Sequence, residues 1–392
     1  MFYDSLNDFV QSAIVLLSGG LLCGLIGRYL KLGVAPTACL FAWHTLLCIF
    51  FAYYVLVNGG DAFAYFMRAK FDHVAFDFGT EYVVWLTSFP VSWGMTYWSA
   101  TFLYNVIGAV GLTFFFAAIN ESKVLTEAGW FAKLLGILCL LLPSLSFWTS
   151  GIGKDAIAFL AVGIFLWASL HIGRRQPAAV AAVLIMLGVR PHMAALMVLS
   201  VAAGTVFVAE IRATVRFSAA ALGTAAAVFA VPFALVYAGT TQFTSLEDYI
   251  SDRQETNLGG GSSVEISEMN PVMRLLSFMY RPLPNEAAGL DQLAASLDNV
   301  FLILLTLVGL VALYRAGFIQ TFRRYSIASL FGAGGVILLS QVTANLGLAS
   351  RQKWMAVPAL MLVALGALRM AAEARAQEKS RRYQLAAARA LR

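Results

Sequence analysis

Six basic residues stand beside apolar segments of this sequence, at positions where a charge is costly to hold. They are Lys154, Arg190, Arg274, Arg281, Arg351 and Lys353. Charged side chains at membrane depth are rare, and a group of them indicates a function. Arginine holds phosphate oxygens with two parallel hydrogen bonds, and lysine adds a compact positive charge. The set therefore predicts a site for an anionic, lipid-linked substrate. Four residues are assigned to its phosphate groups: Lys154, Arg190, Arg281 and Arg351.

The run Gly153-Lys154-Asp155 has two interpretations. A Gly-Lys pair suggests a phosphate loop, but the nucleotide-binding pattern fails, because Trp148 replaces its first glycine and Asp155 its Ser/Thr. Glycines before a helix still expose backbone N–H groups, and Lys154 adds a positive charge, so the run can cradle a phosphate. The alternative is a tight turn with a helix-capping aspartate and a lysine that reaches the membrane surface.

Three side chains are candidates for the general base that a hydroxyl nucleophile needs. They are His192, Glu286 and Asp61. His192 lies where one short apolar segment turns into the next, Glu286 follows Arg281 and two prolines, and Asp61 follows two glycines. The alternatives are structural: a capped histidine, a loop ion pair between Arg281 and Glu286, and an aspartate that caps a helix.

A second group of residues is expected to support the site: Asp155, Tyr65, Lys353 and Asn299. For Arg351 and Lys353 the alternative is simple anchoring of the last apolar segment at the lipid headgroups. The sequence has no His/Cys cluster with metal-ligand spacing. All four cysteines lie within apolar segments, where they act as small core residues. No metal and no cofactor are therefore expected.

The composition excludes a soluble domain, because 60% of the 392 residues are hydrophobic and only 12% are charged. Apolar runs of about 17–25 residues can each cross a ~30 Å hydrocarbon core as a helix. The sequence predicts an all-α, polytopic membrane helix bundle of about eleven transmembrane helices. The spans are 10–27, 34–57, 95–119, 130–146, 155–172, 177–189, 192–209, 217–237, 299–314, 325–345 and 353–371. The sixth is short enough to be half of a broken helix.

Lysine and arginine counts predict the orientation of these spans. Alternate loops and the C-terminal tail carry 18 of the 27 Lys and Arg residues, so we assign that face to the cytoplasm. The other face has nine, against 16 Asp and Glu residues. The prediction is a multi-pass protein of the bacterial inner membrane, with a periplasmic N-terminus and a cytoplasmic C-terminus.

The predicted organisation is one integral membrane domain, 1–371, and a basic, helical cytoplasmic tail, 372–392. Two periplasmic loops interrupt the domain, at 58–94 and, the larger one, at 238–298. In the larger loop, Gly259–Ser263 has the composition of a flexible linker. Asn270-Pro271 then predicts the start of a short helix over 271–280 that lies on the outer leaflet.

Four motifs follow one another on the predicted outer side. They are 143–155 (PSLSFWTSGIGKD), 190–192 (RPH), 278–283 (FMYRPL) and 296–299 (SLDN). In this order, across about residues 60–355, they resemble the Wzy-type O-antigen and exopolysaccharide repeat-unit polymerases. The resemblance implies a GT-C-like membrane fold.

The resemblance also implies glycosyl transfer at the periplasmic face. The donor would be an undecaprenyl-diphosphate-linked oligosaccharide, and a sugar hydroxyl of a second lipid-linked repeat unit would attack its anomeric carbon. Charge developing on the diphosphate leaving group calls for preorganised cations. The implied partners are membrane lipid and, in the same pathway, a chain-length regulator and a flippase. No nucleic acid is implied.

Three other functions fit the same sequence. An O-antigen ligase, or another lipid-linked-sugar glycosyltransferase, shares the donor chemistry and differs only in its acceptor. A flippase or transporter would tend to place charge near the bilayer midplane and to have paired repeats, whereas this chain gathers charge at one face. A non-catalytic scaffold of an export machine would not need the cations.

Overall fold

The computed structural model describes residues 5–208, 213–239, 245–257, 268–287 and 289–390, and the single positions 242, 264 and 266. Its regular structure is helical, and no β-strand occurs among these residues. The first nine helices are α1 (Leu6–Tyr29), α2 (Val34–Asn58), α3 (Asp61–Phe71), α4 (Thr80–Ser92), α5 (Tyr97–Glu121), α6 (Val124–Glu127), α7 (Trp130–Leu140), α8 (Pro143–Trp148) and α9 (Lys154–Ser169). The others are α10 (Gln176–Val189), α11 (Pro191–Thr205), α12 (Ala213–Ala238), α13 (Leu246–Asn257), α14 (Pro271–Tyr280), α15 (Leu290–Ala316), α16 (Phe318–Val342), α17 (Leu346–Gln352) and α18 (Val357–Ala390).

Eight segments of the described chain are helical, long and apolar enough to cross a membrane. They are Leu6–Tyr29, Val34–Asn58, Tyr97–Glu121, Trp130–Trp148, Arg216–Tyr237, Gln292–Ala316, Phe318–Val342 and Val357–Ala388. The chain is therefore a polytopic helical membrane protein. The three remaining predicted spans fall on α9, α10 and α11, which have 16, 14 and 15 residues. A straight crossing needs about 20 residues, so the count of eleven is not confirmed.

Helix α5 lies at the centre of the bundle and packs closely against α9. Two glycines make this possible: a Cβ atom on Gly163 would lie 2.2 Å from the carbonyl oxygen of Gly111. Small residues let helix backbones approach in membranes, where lipid tails remove most of the hydrophobic drive for association. A buried polar network adds to the packing, because the His44 ring nitrogens lie 2.6 Å from Asn105 Oδ1 and 3.1 Å from Thr149 Oγ1.

Helices α10 and α11 form a hairpin of short helices that turns at one residue, Arg190. Helix α10 begins at the end of the bundle where Arg175 pairs with Glu121. It reaches the other end at Arg190, which pairs with Asp155. Helix α11 then returns, since the carbonyl oxygen of Gly204 accepts a hydrogen bond from Ser326 in α16. The sequence predicted a broken element here.

The charged helix ends fall into two separate groups. At one end of the bundle, Arg175 donates two hydrogen bonds to the Glu121 carboxylate, at 2.8 and 2.9 Å, and Arg369 pairs with Glu127 at 2.9 Å. At the opposite end lie Asp61 and the other outer-side candidates.

The two predicted loops contain helices of their own. Helices α3 and α4 occupy the first, and α13 and α14 the second. The predicted helix over 271–280 is confirmed as α14, whose cap residue Asn270 accepts a hydrogen bond from the Met273 N–H at 2.9 Å. The linker Gly259–Ser263 lies outside the described residues. Helix α18 continues without interruption from the last span into the predicted tail.

Candidate functional site

Two glycines place Asp61 at the first position of α3. Gly59 and Gly60 have φ values of +79° and +151°, which side-chain-bearing residues rarely adopt. They end α2 and allow the chain to turn sharply into α3. A carboxylate in the first turn of a helix interacts favourably with the helix dipole, and Asp155 holds the same kind of position in α9.

Arg351 joins these two carboxylates. Its Nη1 donates to Asp61 Oδ2 at 2.8 Å, and its Nε donates to Asp155 Oδ2. The Asp155 side chain is buried, with 6% exposed, and the Arg351 side chain is partly buried, with 17% exposed, whereas 57% of the Asp61 side chain is exposed. Burial opposes a charge on Arg351, but Asp155 and Asp61 outweigh it and raise the pKa of the guanidinium. Asp155 is thus a fixed partner and Asp61 an exchangeable one.

Arg190 has fewer hydrogen-bond partners than Arg351. Its side chain is 15% exposed, and its Nη2 lies 3.7 Å from Asp155 Oδ1, which is an ion pair without a hydrogen bond. Its buried Nε has no hydrogen-bond partner among the described residues. A guanidinium has five N–H donors, and leaving them unused in a buried place is costly. Arg190 therefore has donors available for a ligand.

Lys154 begins α9 next to Asp155. Its ammonium makes no hydrogen bond or ion pair with any residue that the structure describes. Burial and, to a smaller extent, the neighbouring cations Arg190 and Arg351 together lower its pKa to about 8. An added anion would reverse this effect, because it favours the protonated lysine.

Three of these charged groups line a small cavity, and Lys154 and Arg190 lie next to them in space. The cavity has a volume of about 240 Å³ and is lined by Asp61, Asp155 and Arg351 on its polar side. Aromatic side chains such as Phe51 and Trp148 line the rest. Such a space suits phosphate groups, and is smaller than the roughly 300–1,000 Å³ of typical pockets for whole organic ligands. We call the set Asp61, Lys154, Asp155, Arg190 and Arg351 the anion cluster.

Two other predicted residues lie beside the anion cluster. His192, the second residue of α11, is within electrostatic reach of Arg190 and Lys154. Tyr65, one turn along α3 from Asp61, is buried, and burial together with the Asp61 charge raises the pKa of its phenol. Of the three predicted bases, His192 and Asp61 are therefore at the cluster.

The remaining predicted residues form a second group. Arg281 pairs with Glu286, with its Nε donating to Oε1 at 2.8 Å, and Glu286 Oε2 accepts from the Leu283 N–H at 2.8 Å. The Arg281 hydrogen bond lowers the pKa of Glu286. This carboxylate is engaged and a weaker base than a free one. The local ion pair, given as the alternative for these two residues, is the arrangement found.

Lys353 and Asn299 hold this second group in place. The Lys353 ammonium, 1% exposed, donates to Asn299 Oδ1 at 2.7 Å and to the Met279 carbonyl at 3.2 Å. Asn299 Nδ2 in turn donates to the Pro282 carbonyl at 2.9 Å. These hydrogen bonds hold the turn after α14. Arg274 also binds backbone carbonyls, those of Ile266 and Met269.

The structure thus divides the predicted site. We expected Arg190 and Arg281 to converge on one cavity, but within the described residues no hydrogen bond or ion pair connects Arg281 with the anion cluster. Glu286, five residues away, satisfies Arg281 locally, so it needs no distant partner. The chain links the two groups directly, since Arg351 lies in the last turn of α17 and Lys353 starts the 3₁₀ turn that follows.

The chain matches no known protein family, no curated protein and no solved structure. The resemblance described above therefore rests on its motifs alone.

Sequence reasoning missed two buried carboxylates. Asp298 accepts hydrogen bonds from the Ser144 N–H and hydroxyl, at 2.7 and 2.5 Å, and so joins α15 to α8. Asp8, 2% exposed, accepts a hydrogen bond from the Thr96 hydroxyl. A carboxylate next to an apolar run is the signal that could have identified both, because burial at such a place requires a partner.

Proposed function

We propose that this protein is a polysaccharide polymerase that joins lipid-diphosphate-linked repeat units at the outer face of the bacterial inner membrane. The observation that carries the proposal is the anion cluster: three cations, two carboxylates and a small cavity at one end of a membrane helix bundle. Arg351 is neutralised by Asp61 and Asp155, while Arg190 and Lys154 retain donors for a further anion. The resemblance to the Wzy-type polymerases implies that this anion is a diphosphate.

The exposed position of Asp61 suggests how the substrate enters. A diphosphate oxygen would replace the Asp61 carboxylate on Arg351 and leave Asp155 in place. Arg190 and Lys154 would bind the remaining oxygens. Substitution of one anion for another keeps Arg351 paired throughout, which avoids the cost of an isolated buried charge.

The chemical step is then one displacement, or several in succession, at the anomeric carbon. The acceptor hydroxyl forms the new C–O bond, the bond between the anomeric carbon and the diphosphate oxygen breaks, and the lipid diphosphate leaves with its electron pair. The cations stabilise the charge that grows on the leaving group. Asp61, freed from Arg351, or His192 accepts the hydroxyl proton.

The finer topology belongs to the same proposal. We infer eleven crossings, a GT-C-like arrangement, a periplasmic N-terminus and a cytoplasmic C-terminus, with α9, α10 and α11 as short spans. Helices of 14 and 15 residues are about 21–23 Å long, shorter than the ~30 Å hydrocarbon core. The turn at Arg190 would then lie below the outer headgroups, where a lipid diphosphate can reach it.

A ligase shares this donor site, so only the acceptor distinguishes it from a polymerase. A flippase is less favoured, because the cations stand together at one end of the helices. A reporter fused after Arg392 tests the orientation: activity of that reporter only outside the cytoplasm would contradict it.

The decisive experiment compares the glycans of cells that carry Arg351→Lys or Arg190→Lys at normal protein levels. We expect a loss of roughly 10²–10³ in polymerisation rate, the effect of removing one oxyanion-type donor, and single repeat units on lipid at the outer face. Arg68→Lys is the matched control, because Arg68 forms exposed ion pairs with Asp72 and Glu81. Polymer of wild-type length in both cluster variants would remove the cluster from the active site. Lipid-linked units trapped inside would indicate a flippase.

A further inference from the structure

A larger cavity lies beside the anion cluster, on the other side of α3. It has a volume of about 870 Å³ and lies between the start of α1, the end of α2, helices α3 and α4, and the start of α5. This is within the roughly 300–1,000 Å³ of sites that enclose a whole organic ligand, whereas the anion-cluster cavity of about 240 Å³ is not. A lipid-linked sugar needs both a phosphate site and a place for its glycan.

One wall of this cavity is aromatic. Phe63 and Phe66 of α3 contact Tyr97 edge to face, with ring centroids 5.5 and 5.7 Å apart. Phe89 and Trp98 extend the wall from α4 and α5. The C–H faces of a pyranose ring are apolar and pack on such rings, while its hydroxyls point to the edges, where polar groups are needed.

A buried carboxylate provides that polar group. Asp8 lines the cavity with 2% of its surface exposed. Its Oδ1 accepts the Thr96 hydroxyl, and its Oδ2 makes no hydrogen bond within the part of the chain that the structure describes. The Oδ2 atom is not among the fully enclosed atoms that lack a partner, so it keeps access to the cavity, and a ligand hydroxyl can donate a charge-assisted hydrogen bond to it.

The chemistry of the cavity disfavours other ligands. The lining has one lysine, Lys70, against the two carboxylates Asp8 and Asp72, so it lacks the group of cations that characterises the anion cluster. A lipid tail would leave Asp8 Oδ2 unpaired and the hydroxyls of Ser88 and Ser92 in an apolar contact. A neutral, hydroxyl-rich molecule with apolar ring faces satisfies both the aromatic wall and the carboxylate.

We infer that this cavity binds the neutral oligosaccharide of a lipid-linked repeat unit, as the acceptor-side glycan site; the acceptor role rests on the function proposed above. Helix α3 connects the two sites. Asp61 is its first residue, and Phe63 and Phe66 follow within five positions, which is about 8 Å along the helix axis. A glycan in the cavity therefore has its end close to Asp61, a proposed base.

The test is glycan binding to the full chain in lipid nanodiscs. The probe is an oligosaccharide released by partial hydrolysis of the host's own surface polysaccharide, followed by saturation-transfer NMR and titration. Asp8→Asn and Phe63→Ala should each weaken binding about tenfold or more, the size of one lost charge-assisted hydrogen bond or stacking contact. Phe71→Ala is the control, because Phe71 is an exposed aromatic residue of the same helix that does not line the cavity.

Each outcome is decisive. Phe63 is 39% exposed, so its truncation should leave the fold intact, and thermal unfolding of each variant checks this. Absence of binding to the wild-type chain, or unchanged binding in both variants, would overturn the inference. Arg351→Lys should keep glycan binding while it loses polymerisation. If Arg351→Lys still polymerises but the cavity variants lose glycan binding, the proposed function fails and the glycan site stands.

Discussion

Arg351 donates a hydrogen bond to Asp61 at 2.8 Å, although 290 positions separate the two residues in the sequence. The same guanidinium also binds Asp155, at the start of another helix. One arginine thus ties the beginnings of α3 and α9 to the end of α17. The two carboxylates differ in exposure, and this difference leads to the first prediction.

Asp155→Asn should destabilise the protein far more than Asp61→Asn. Asp155 is buried, and removing one partner of a buried ion pair costs about 3–5 kcal/mol, because Arg351 and Arg190 lose their shared partner. Asp61 is 57% exposed, so solvent screening limits its loss to about 0–1 kcal/mol. Thermal unfolding in detergent measures both. Equal losses would show that Asp61 is not the exchangeable partner.

Anion binding should weaken as the pH rises through 8. The pKa of Lys154 is lowered from 10.5 to about 8, so the lysine loses its proton in this range and the site loses a positive charge. Inorganic pyrophosphate is the probe, titrated by calorimetry between pH 6.5 and 9.5. Pyrophosphate itself loses protons in this range, so the Lys154 contribution is the difference between the pH profiles of wild type and Lys154→Arg. A pH profile that is unchanged in Lys154→Arg would exclude Lys154 from the site.

The lowered pKa of Lys154 has the opposite effect on the stability of the ligand-free protein, which should rise with pH. Between pH 8 and 10.5 the unfolded chain binds the Lys154 proton and the folded chain does not. The contribution of Lys154 to the free energy of unfolding therefore rises with pH across this window. Comparison of wild type with Lys154→Met isolates that contribution. A contribution that fell as pH rose would contradict the assigned environment.

The three predicted bases should respond differently to neutralisation. Asp61→Asn is expected to reduce polymerisation by about 10²–10⁴-fold if it accepts the hydroxyl proton, and His192→Gln by a similar factor if that role is its own. Glu286→Gln should stay within about twofold of wild type, since Glu286 is engaged by Arg281 and the Leu283 N–H. Polymer length on extracted glycans gives the readout. A large loss in Glu286→Gln alone would move the active site to the second group.

Gly163→Ala should destabilise the α5–α9 crossing. The added methyl would lie 2.2 Å from the Gly111 carbonyl oxygen, so the helices must separate, at a cost of about 1–3 kcal/mol or more. Gly129→Ala is the control, because its Cβ would have nothing within 4 Å. The difference in thermal unfolding temperature between the two variants checks the prediction, and equal temperatures would rule out a tight crossing.

The sequence by itself determined where most helices lie and which of their ends carry charge. In lipid, a backbone must satisfy its hydrogen bonds internally, so a long apolar run can only be a helix, and its limits follow from composition. Interactions between residues close in the sequence could also be predicted. Asn270-Pro271 predicted the start of α14, and a loop ion pair was one of two interpretations of Arg281 and Glu286.

Only the tertiary structure decided which charges meet. Arg190 and Arg281 have the same side chain and the same predicted side of the membrane, yet one lies in the anion cluster and the other pairs with its own loop. The cavity at Asp8 was equally unpredictable, since its walls come from five helices. The way the helices cross, through contacts such as Gly111 with Gly163, decides which charged side chains become partners. These crossings depend on how side chains from distant parts of the sequence fit together, and the hydrophobic pattern of a single segment does not reveal them.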